Sequence, residues 1–551
     1  MKKNLFLTGI LTTAFLFGCS DDVPDKGGVN GVTGDVGYVK VAINLPTVSG
    51  NSVKTNGNDI FDDGIEAEYK VNDIILAIFE GTDENDADFK EAQNLSGLLA
   101  MQSGDNNVTV KYKSDVLEIG KPGDNKNVYA LAIVNGSKLF SVDENKKLKF
   151  DGTDFSGDLS KLNAIAQNVD LSKIANLEGK NFLMTNAPIT NKSAGSSATA
   201  GREVTTLVKL KVYDTKAKAE ADWENADKIY VERAVAKVTT SVKGTGNTLT
   251  ISAPGMAYDG ATVTFEGWKL NLTNKTYFPV RNVSKWSTWE GYNTGTDVNR
   301  FFGETANPYR VYWAIDPNYA NTIVQGTTDL NVITELPEGQ WNMMDKDEYS
   351  AENTTTAGQM KRARLTGVLL KAKFTLKDGT ENDNLFMLGT SSSIFKEDQL
   401  LTFLKATLGY DLQVKSGATA QTITTAEKVK EVFEFKDATA MDDTKAGDIL
   451  KTCSDKIRFY KGGVMFYYTT VIKHFNSITE AGVTEYDENK HLGLYGVVRN
   501  NWYDIRINSV SGPGEPEIPE IPDEPVNKEH SFINAEINIL SWAKRTQDVD
   551  L

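Results

Sequence analysis

FINAEINILSW, residues 532–542, alternates like a β-strand, yet it closes a 551-residue chain beyond the proline-rich run GPGEPEIPEIPDEP (512–525). Ile533, Ala535, Ile537 and Ile539 fall on one face at period two, with Asn534, Glu536 and Asn538 opposite and Trp542 at the end. YVKVAINLP (38–46), near the other end, carries the same pattern: Val39, Val41, Ile43 and Leu45 on one face, Lys40, Ala42 and Asn44 opposite. Such strands fit the same kind of groove. Pattern alone allows each to belong to its own sheet, or one to replace the other.

The spacer bears on that choice. A run of Pro and Glu cannot pair inside a sheet, and as polyproline II it extends by about 3.1 Å per residue. It is therefore expected to reach beyond its own domain and deliver the tail to another molecule, as in donor-strand complementation. Burying Ile533, Ile537 and Ile539 would contribute roughly 1.5–3 kcal/mol each before ordering costs. The competing N-terminal strand is covalently present, so it must first be set free. Directly after it lies PTVSGNSVKTNGNDIFDDG (46–64), rich in Gly, Asn, Ser and Asp and suited to proteolytic nicking, with Lys54 as its only basic residue. A cut at Lys54 would free residues 38–46 together with everything before them.

Between the two ends, strand-like runs dominate, among them VNDIILAIFEG (71–81), IYVERAVAKVTTSVKG (229–244), ATVTFEGWKLNLT (261–273) and VVRNNWYDIRINSV (497–510). Helical periodicity is expected only in KLNAIAQNVDLSKIANLEG (161–179), FKEDQLLTFLKATLG (395–409) and AEKVKEVFEF (426–435), the last with a capping box from Thr424 to Glu427. The chain thus reads as mainly β, with antiparallel β-sandwich domains at 55–228 and 229–510, and the Pro-rich spacer and terminal strand at 511–551. KSAGSSATAG (192–201) reads as an inserted loop.

The first residues, MKKNLFLTGILTTAFLFGCSDD, set Lys2 and Lys3 before an apolar run too short to span a bilayer, then Gly18-Cys19. They read as a signal peptide over 1–18. Leu16-Phe17-Gly18-Cys19 resembles the lipobox of bacterial lipoproteins, which implies cleavage before Cys19 and acylation of its thiol, with 19–54 a lipidated tether and strand removed on maturation. Ser20-Asp21-Asp22 resembles the surface-export signal of Bacteroidetes lipoproteins.

Taken together, the Cys19 leader, YVERAVAKV (230–238), LYGVVRNNWYDIRINSV (494–510), the Pro-rich spacer and the ending FINAEINILSW…DVDL resemble the Bacteroidales fimbrillins, in particular the major shaft subunit of the short fimbriae, a type V pilin. That resemblance implies two transthyretin-like sandwiches and an outer-membrane lipoprotein precursor. It implies trimming by a trypsin-like surface protease and a homopolymer of identical subunits joined by C-terminal strand exchange. Anchor and tip subunits, a host or bacterial surface ligand, adhesion and biofilm formation come with it. Family members are cut after an Arg; here the matching loop offers Lys54, and the first Arg of the chain is Arg202. An anchor subunit, or a monomeric surface lipoprotein that binds glycan or a host protein, remains the alternative.

Other chemistry finds little support. A net charge of −16 without clustered Lys or Arg argues against nucleic acid. With Cys19 in the leader and Cys453 alone, no disulfide framework is expected. His474, His491 and His530 are widely separated, and no metal or cofactor is expected. Asp83, Asn85 and Asp86 hint at calcium, but Ala87 stands where a ligand belongs. GTG (244–246) lacks the rest of a dinucleotide site, and AGSSATAG lies in a low-complexity loop rather than a nucleophile elbow. No enzyme is expected. Trp268, Trp289, Trp313 and Trp502 read as core rather than a glycan platform. Arg233 and Arg499 are expected to cover apolar surface while their heads pair with carboxylates.

Overall fold

The computed structural model describes residues 36–46, 60–61, 64–95, 99–102, 108–164, 167–168, 170–193, 201–222, 225–292, 300–303, 309–319, 329–379, 383–468, 471–475, 483, 485–526, 533–541 and 543–546. Strands dominate. In the N-terminal half one sheet runs in the order Asp88–Asn94, Ile74–Gly81, Asn127–Val134, Met184–Asn186, Asp227–Arg233, Val41–Pro46, Val108–Lys113, Leu99–Gln102. Its pairings are antiparallel except Val41–Pro46 against Asp227–Arg233, which is parallel. Ile74–Phe79 and Val128–Val134 are apolar without alternation because both their faces are enclosed. Their side chains join Val41, Ile43, Met184 and Val231 in one core.

Asp227–Arg233 continues through Ala234 and Val235 into Ala236–Val242, which leaves the first sheet and enters a second. Sequence placed the domain boundary at 228/229; the hydrogen-bond ladders put Ile229–Arg233 with the N-terminal sheet, so the crossing falls at Ala234-Val235. Ala236–Val242 pairs antiparallel with Asp347–Ser350 and parallel with Asn501–Val510. Facing it is a sheet of Thr248–Thr250, Thr262–Asn271, Gly367–Thr375 and Val464–Tyr468. Val238, Tyr503 and Ile505 from one layer meet Val263, Phe265, Leu370 and Met465 from the other, as a sandwich requires.

A third core was not foreseen. Gly367–Thr375 and Val464–Tyr468 are hydrogen-bonded neighbours, yet the chain between them builds a lobe around Leu400, Leu404, Val429, Ile449, Phe386 and Phe459. Two of the expected helices lie here, Glu397–Leu408 and Ala426–Val432, with a further one at Asp443–Thr452. Glu397–Leu408 ends at Gly409, whose φ of 74° is the left-handed conformation that stops a helix. The cap of Ala426–Val432 is Thr425, not Thr424: its hydroxyl accepts from the Lys428 N–H.

The helix expected over 161–179 is broken. Leu159–Ala164 and Leu171–Ile174 are short helices, and Gln167–Asn168 between them pairs with Thr276–Tyr277. Asp170 caps the second by accepting from the Ser172 N–H, and strand pairing overrides helical periodicity between them.

The Pro-rich segment also differs from expectation. Rather than reaching away from its domain, it is strapped across the C-terminal sheet. Glu515 and Phe466 exchange backbone hydrogen bonds of 2.8 Å each, and the Tyr460 and Tyr467 hydroxyls donate to the Gly514 and Gly512 carbonyls. Asp523 accepts both arms of the Arg364 guanidinium at 2.8 Å, with Lys361 at 3.2 Å, and Ile521 and Val526 are buried. A Cβ on Gly514 would stand 2.4 Å from the Phe466 carbonyl oxygen, so glycine alone permits this approach. Composition registers the prolines but not these anchors.

Candidate strand-exchange site

The N-terminal strand is interior, not an edge. Val41, Ala42, Ile43 and Asn44 pair with Asp227, Lys228, Ile229 and Tyr230 on one side; Ala42, Ile43 and Asn44 pair with Lys113, Tyr112 and Lys111 on the other. A bulge between Asn44 and Pro46 ends the regular register, where proline can no longer donate. Just upstream, Val36–Val39 pairs with Leu117–Gly120, and the Val41 N–H donates to the Ser114 hydroxyl at 3.1 Å. Val39, Val41 and Ile43 are 0 % exposed and Leu45 1 %, all in the N-terminal core. Taking this strand out would leave two facing ladder edges, Asp227–Arg233 and Val108–Lys113, with an apolar floor between them.

The face that is polar in sequence is enclosed as well. Lys40, Ala42 and Asn44 are all buried; Tyr213 exchanges backbone hydrogen bonds with Tyr38, and the Lys40 ammonium lies 6.0 Å from the Tyr213 ring centroid. The period-two pattern therefore marks the strand without revealing that both its faces are covered.

The tail sits elsewhere. Ile533–Ser541 runs antiparallel to Asn501–Val510, with Val510 opposite Ile533, Ser509 opposite Asn534 and Ile505 opposite Ile537. Ala535 and Ile539 belong to the same strand. Ala543–Thr546 is a separate strand, parallel to Asn501–Val510, and Ile60–Phe61 pairs with both pieces. Within one chain the tail thus lies on the C-terminal sheet, away from the strand it resembles. Cys19, Lys54 and Trp542 lie outside the described residues, as do most of the loops at 46–64 and 192–201.

A buried polar network rivets the two sheets together at this crossing. The Arg281 guanidinium binds both Glu232 oxygens at 2.7 Å and donates to the Val311 and Arg499 carbonyls. Arg499 pairs with Glu352 at 2.8 Å and donates to the Phe278 and Pro279 carbonyls. Arg233 donates to the Glu68 carbonyl and to Asn500, and Lys237 holds Glu68 and Asp347 at 3.0 Å each. Burial pushes the Glu232 carboxyl above its ordinary range despite Arg281 and Arg499. Burial acts on Glu68 the same way, but Lys237 and Arg233 outweigh it and hold that carboxyl low. Sequence pointed to Arg233 and Arg499 but passed over Glu68, Glu232, Lys237 and Arg281. The signal for two of them was present in VERAVAK, where charges interrupt a strand too apolar to face water.

The other candidates resolve structurally. Trp268, Trp289 and Trp313 are buried; Trp502 is half-buried, with the Lys237 ammonium 4.1 Å from its ring centroid and its N–H donating to Thr239. Asp86 turns onto its own loop, accepting from the Asp83 N–H and the Thr82 hydroxyl, while Glu84 crosses over to accept from the Thr206 and Leu207 N–H groups. Cys453 is buried, which pushes its thiol up to about 12. Among the described residues no group of three or more His, Cys, Asp or Glu is placed to hold a metal ion, and no helix is long and apolar enough to cross a membrane.

Residues 458–548 match the family described as major fimbrial subunit protein type IV, fimbrillin, C-terminal. That span holds the Asn501–Val510 strand, the strap and the tail. No curated protein matches the sequence. Among solved structures, a fimbrilin (FimA) from Porphyromonas gingivalis W83 is 12% identical, with 92% of this chain and 99% of that chain covered and a TM-score of 0.37. The tip fimbrial protein Mfa3 of the same species, truncated at its C-terminus, is 11% identical over 92% of this chain and 100% of that chain, with a TM-score of 0.33. A cell adhesion protein from Parabacteroides distasonis ATCC 8503 is 12% identical over 92% and 97%, with a TM-score of 0.36.

Proposed function

We propose that this protein is a structural subunit of a cell-surface fimbria, polymerised by strand exchange. The precursor is carried to the outer membrane by acylation at Cys19 and trimmed at Lys54 by a trypsin-like surface protease. Loss of residues 19–54 then vacates the slot between Asp227–Arg233 and Val108–Lys113. The tail of a neighbouring copy enters it, with Ile533, Ala535, Ile537 and Ile539 taking the places of Val39, Val41, Ile43 and Leu45. Anchor and tip subunits complete the fibre, which serves adhesion to a host or bacterial surface and biofilm formation. The observation that carries this reading is the interior position of Val41–Pro46: a central strand, joined to the rest of the chain through a loop with one basic residue, is a removable part.

The chain purified without residues 1–54 is expected to form ladders and fibres, and a further deletion of 530–551 to abolish them. Fibres from the doubly shortened chain overturn the reading. Lys54→Ala is expected to leave acylated monomers at the cell surface; normal fibres from it move the cut elsewhere.

One observation favours the alternative of a subunit that stays monomeric or anchors the fibre: the tail already lies on its own Asn501–Val510 strand. A Ser509→Cys, Asn534→Cys pair locks it there as a disulfide. Assembly that stops under oxidation and resumes on reduction supports exchange, whereas native, cell-released protein that remains monomeric with an intact N-terminus supports the alternative.

A further inference from the structure

Lys40 is 3 % exposed, yet among the described residues its ammonium has no hydrogen-bond partner. Four charged groups surround it: Asp227 and Lys113 from the flanking strands, Lys211 and Asp222 from the segment that covers them. Neither carboxylate serves it. Asp222 accepts from Lys211, Tyr213 and Asn225 at 2.7, 2.6 and 2.6 Å, and Asp227 accepts from the Lys211 N–H at 2.7 Å. What remains is the Tyr213 ring, 6.0 Å from the ammonium. Lys237, equally buried, shows what a satisfied lysine looks like here, with two carboxylates at 3.0 Å. An enclosed ammonium without an acceptor weakens the strand that carries it, and burial accordingly lowers its pKa.

At the place of Lys40 the tail offers a neutral side chain; its one charge, Glu536, falls at the place of buried Ala42, which pairs with Lys113 and Lys228. Ile533–Ser541 contains no basic residue. Aligning Ile533, Ala535 and Ile537 on Val39, Val41 and Ile43 sets Asn534 at the place of Lys40, and Asn538 at that of Asn44. Asn44 is also buried, with its side-chain oxygen unpartnered among the described residues, but the tail reproduces it, so it does not discriminate. Lys40 does.

We propose that Lys40 is the residue that decides the exchange: it makes the resident strand the weaker occupant of its slot, so that a second copy's tail, neutral at that position, displaces it. This rests on the strand-exchange reading above. The full chain, cut after Lys54, is mixed with a labelled peptide of residues 530–551, and uptake is followed by fluorescence anisotropy. Lys40→Met is expected to slow uptake about tenfold and to raise the melting temperature of the uncut chain. The reciprocal change, an Asn534→Lys peptide offered to the unaltered protein, is expected to enter about tenfold more slowly. The two arms are independent, so a Lys40→Met chain that fails to fold leaves the peptide arm to decide. Uptake at the unaltered rate in either arm overturns the role of Lys40. If the unaltered, cut chain takes up no peptide at all, strand exchange itself is wrong.

Discussion

Val41–Pro46 and Ile533–Ser541 share one alternation and occupy opposite situations. The first is paired on both sides, parallel to Asp227–Arg233 and antiparallel to Val108–Lys113. The second is laid antiparallel on Asn501–Val510 and clasped by two short pieces, Ile60–Phe61 and Ala543–Thr546. A strand knitted in on both sides resists leaving; one held chiefly along a single ladder exchanges partners more readily. Pattern is thus a statement about which slot a strand fits, and pairing is a statement about how firmly it is held.

That contrast is open to attack at several strengths. A charge is the harshest probe: Ile43→Asp is expected to keep the uncut chain from folding, whereas Ile537→Asp should leave a folded monomer that forms no fibres. Circular dichroism and electron microscopy separate the two, and an unfolded Ile537→Asp monomer would erase the contrast. Truncation is gentler. Ile43→Ala is expected to cost about 2–5 kcal/mol in urea unfolding of the uncut chain, and Ile537→Ala clearly less. The strap sharpens the comparison from the tail's side: Arg364→Ala is expected to cost about 1–3 kcal/mol, and to open residues 511–526 to limited proteolysis while residues 38–46 stay protected. The smallest effect is one of pH. Hydrogen bonding from Arg364 holds the Asp523 carboxyl below its ordinary range, with Lys361 adding to it. Its contribution is therefore complete above the unfolded carboxylate value of about 3.9 and fades as pH falls further toward the folded value. Amide exchange in the strap should quicken below about pH 4, and Asp523→Asn should remove that dependence.

Much of this was legible in the sequence, for reasons that also explain the rest. Val39 to Leu45 and Ile533 to Ile539 announce strands because period two needs nothing beyond neighbouring residues. Helices Glu397–Leu408 and Ala426–Val432 were equally plain, being periodic and capped locally. What escaped depends on distant partners. Nothing near Lys40 in the chain says that Tyr213 covers it, and nothing in EIPEIPDEP says that Asp523 meets Arg364. The lobe between Thr375 and Val464 was missed because a long excursion between two paired strands looks, in sequence, like more of the same domain. VERAVAK was read as a marker when its charges are the fastening of two sheets.

The unbroken run from Asp227 to Val242 lines the slot at one end and, two residues past its crossing, lies alongside the strand that precedes the tail. In a fibre built by the strand exchange proposed above, tension end to end would pull through this one backbone, along the strands rather than across them. Tension directed that way is shared by every rung of a ladder at once, instead of opening them singly. A filament assembled in that way would have its tensile cord already threaded through each bead.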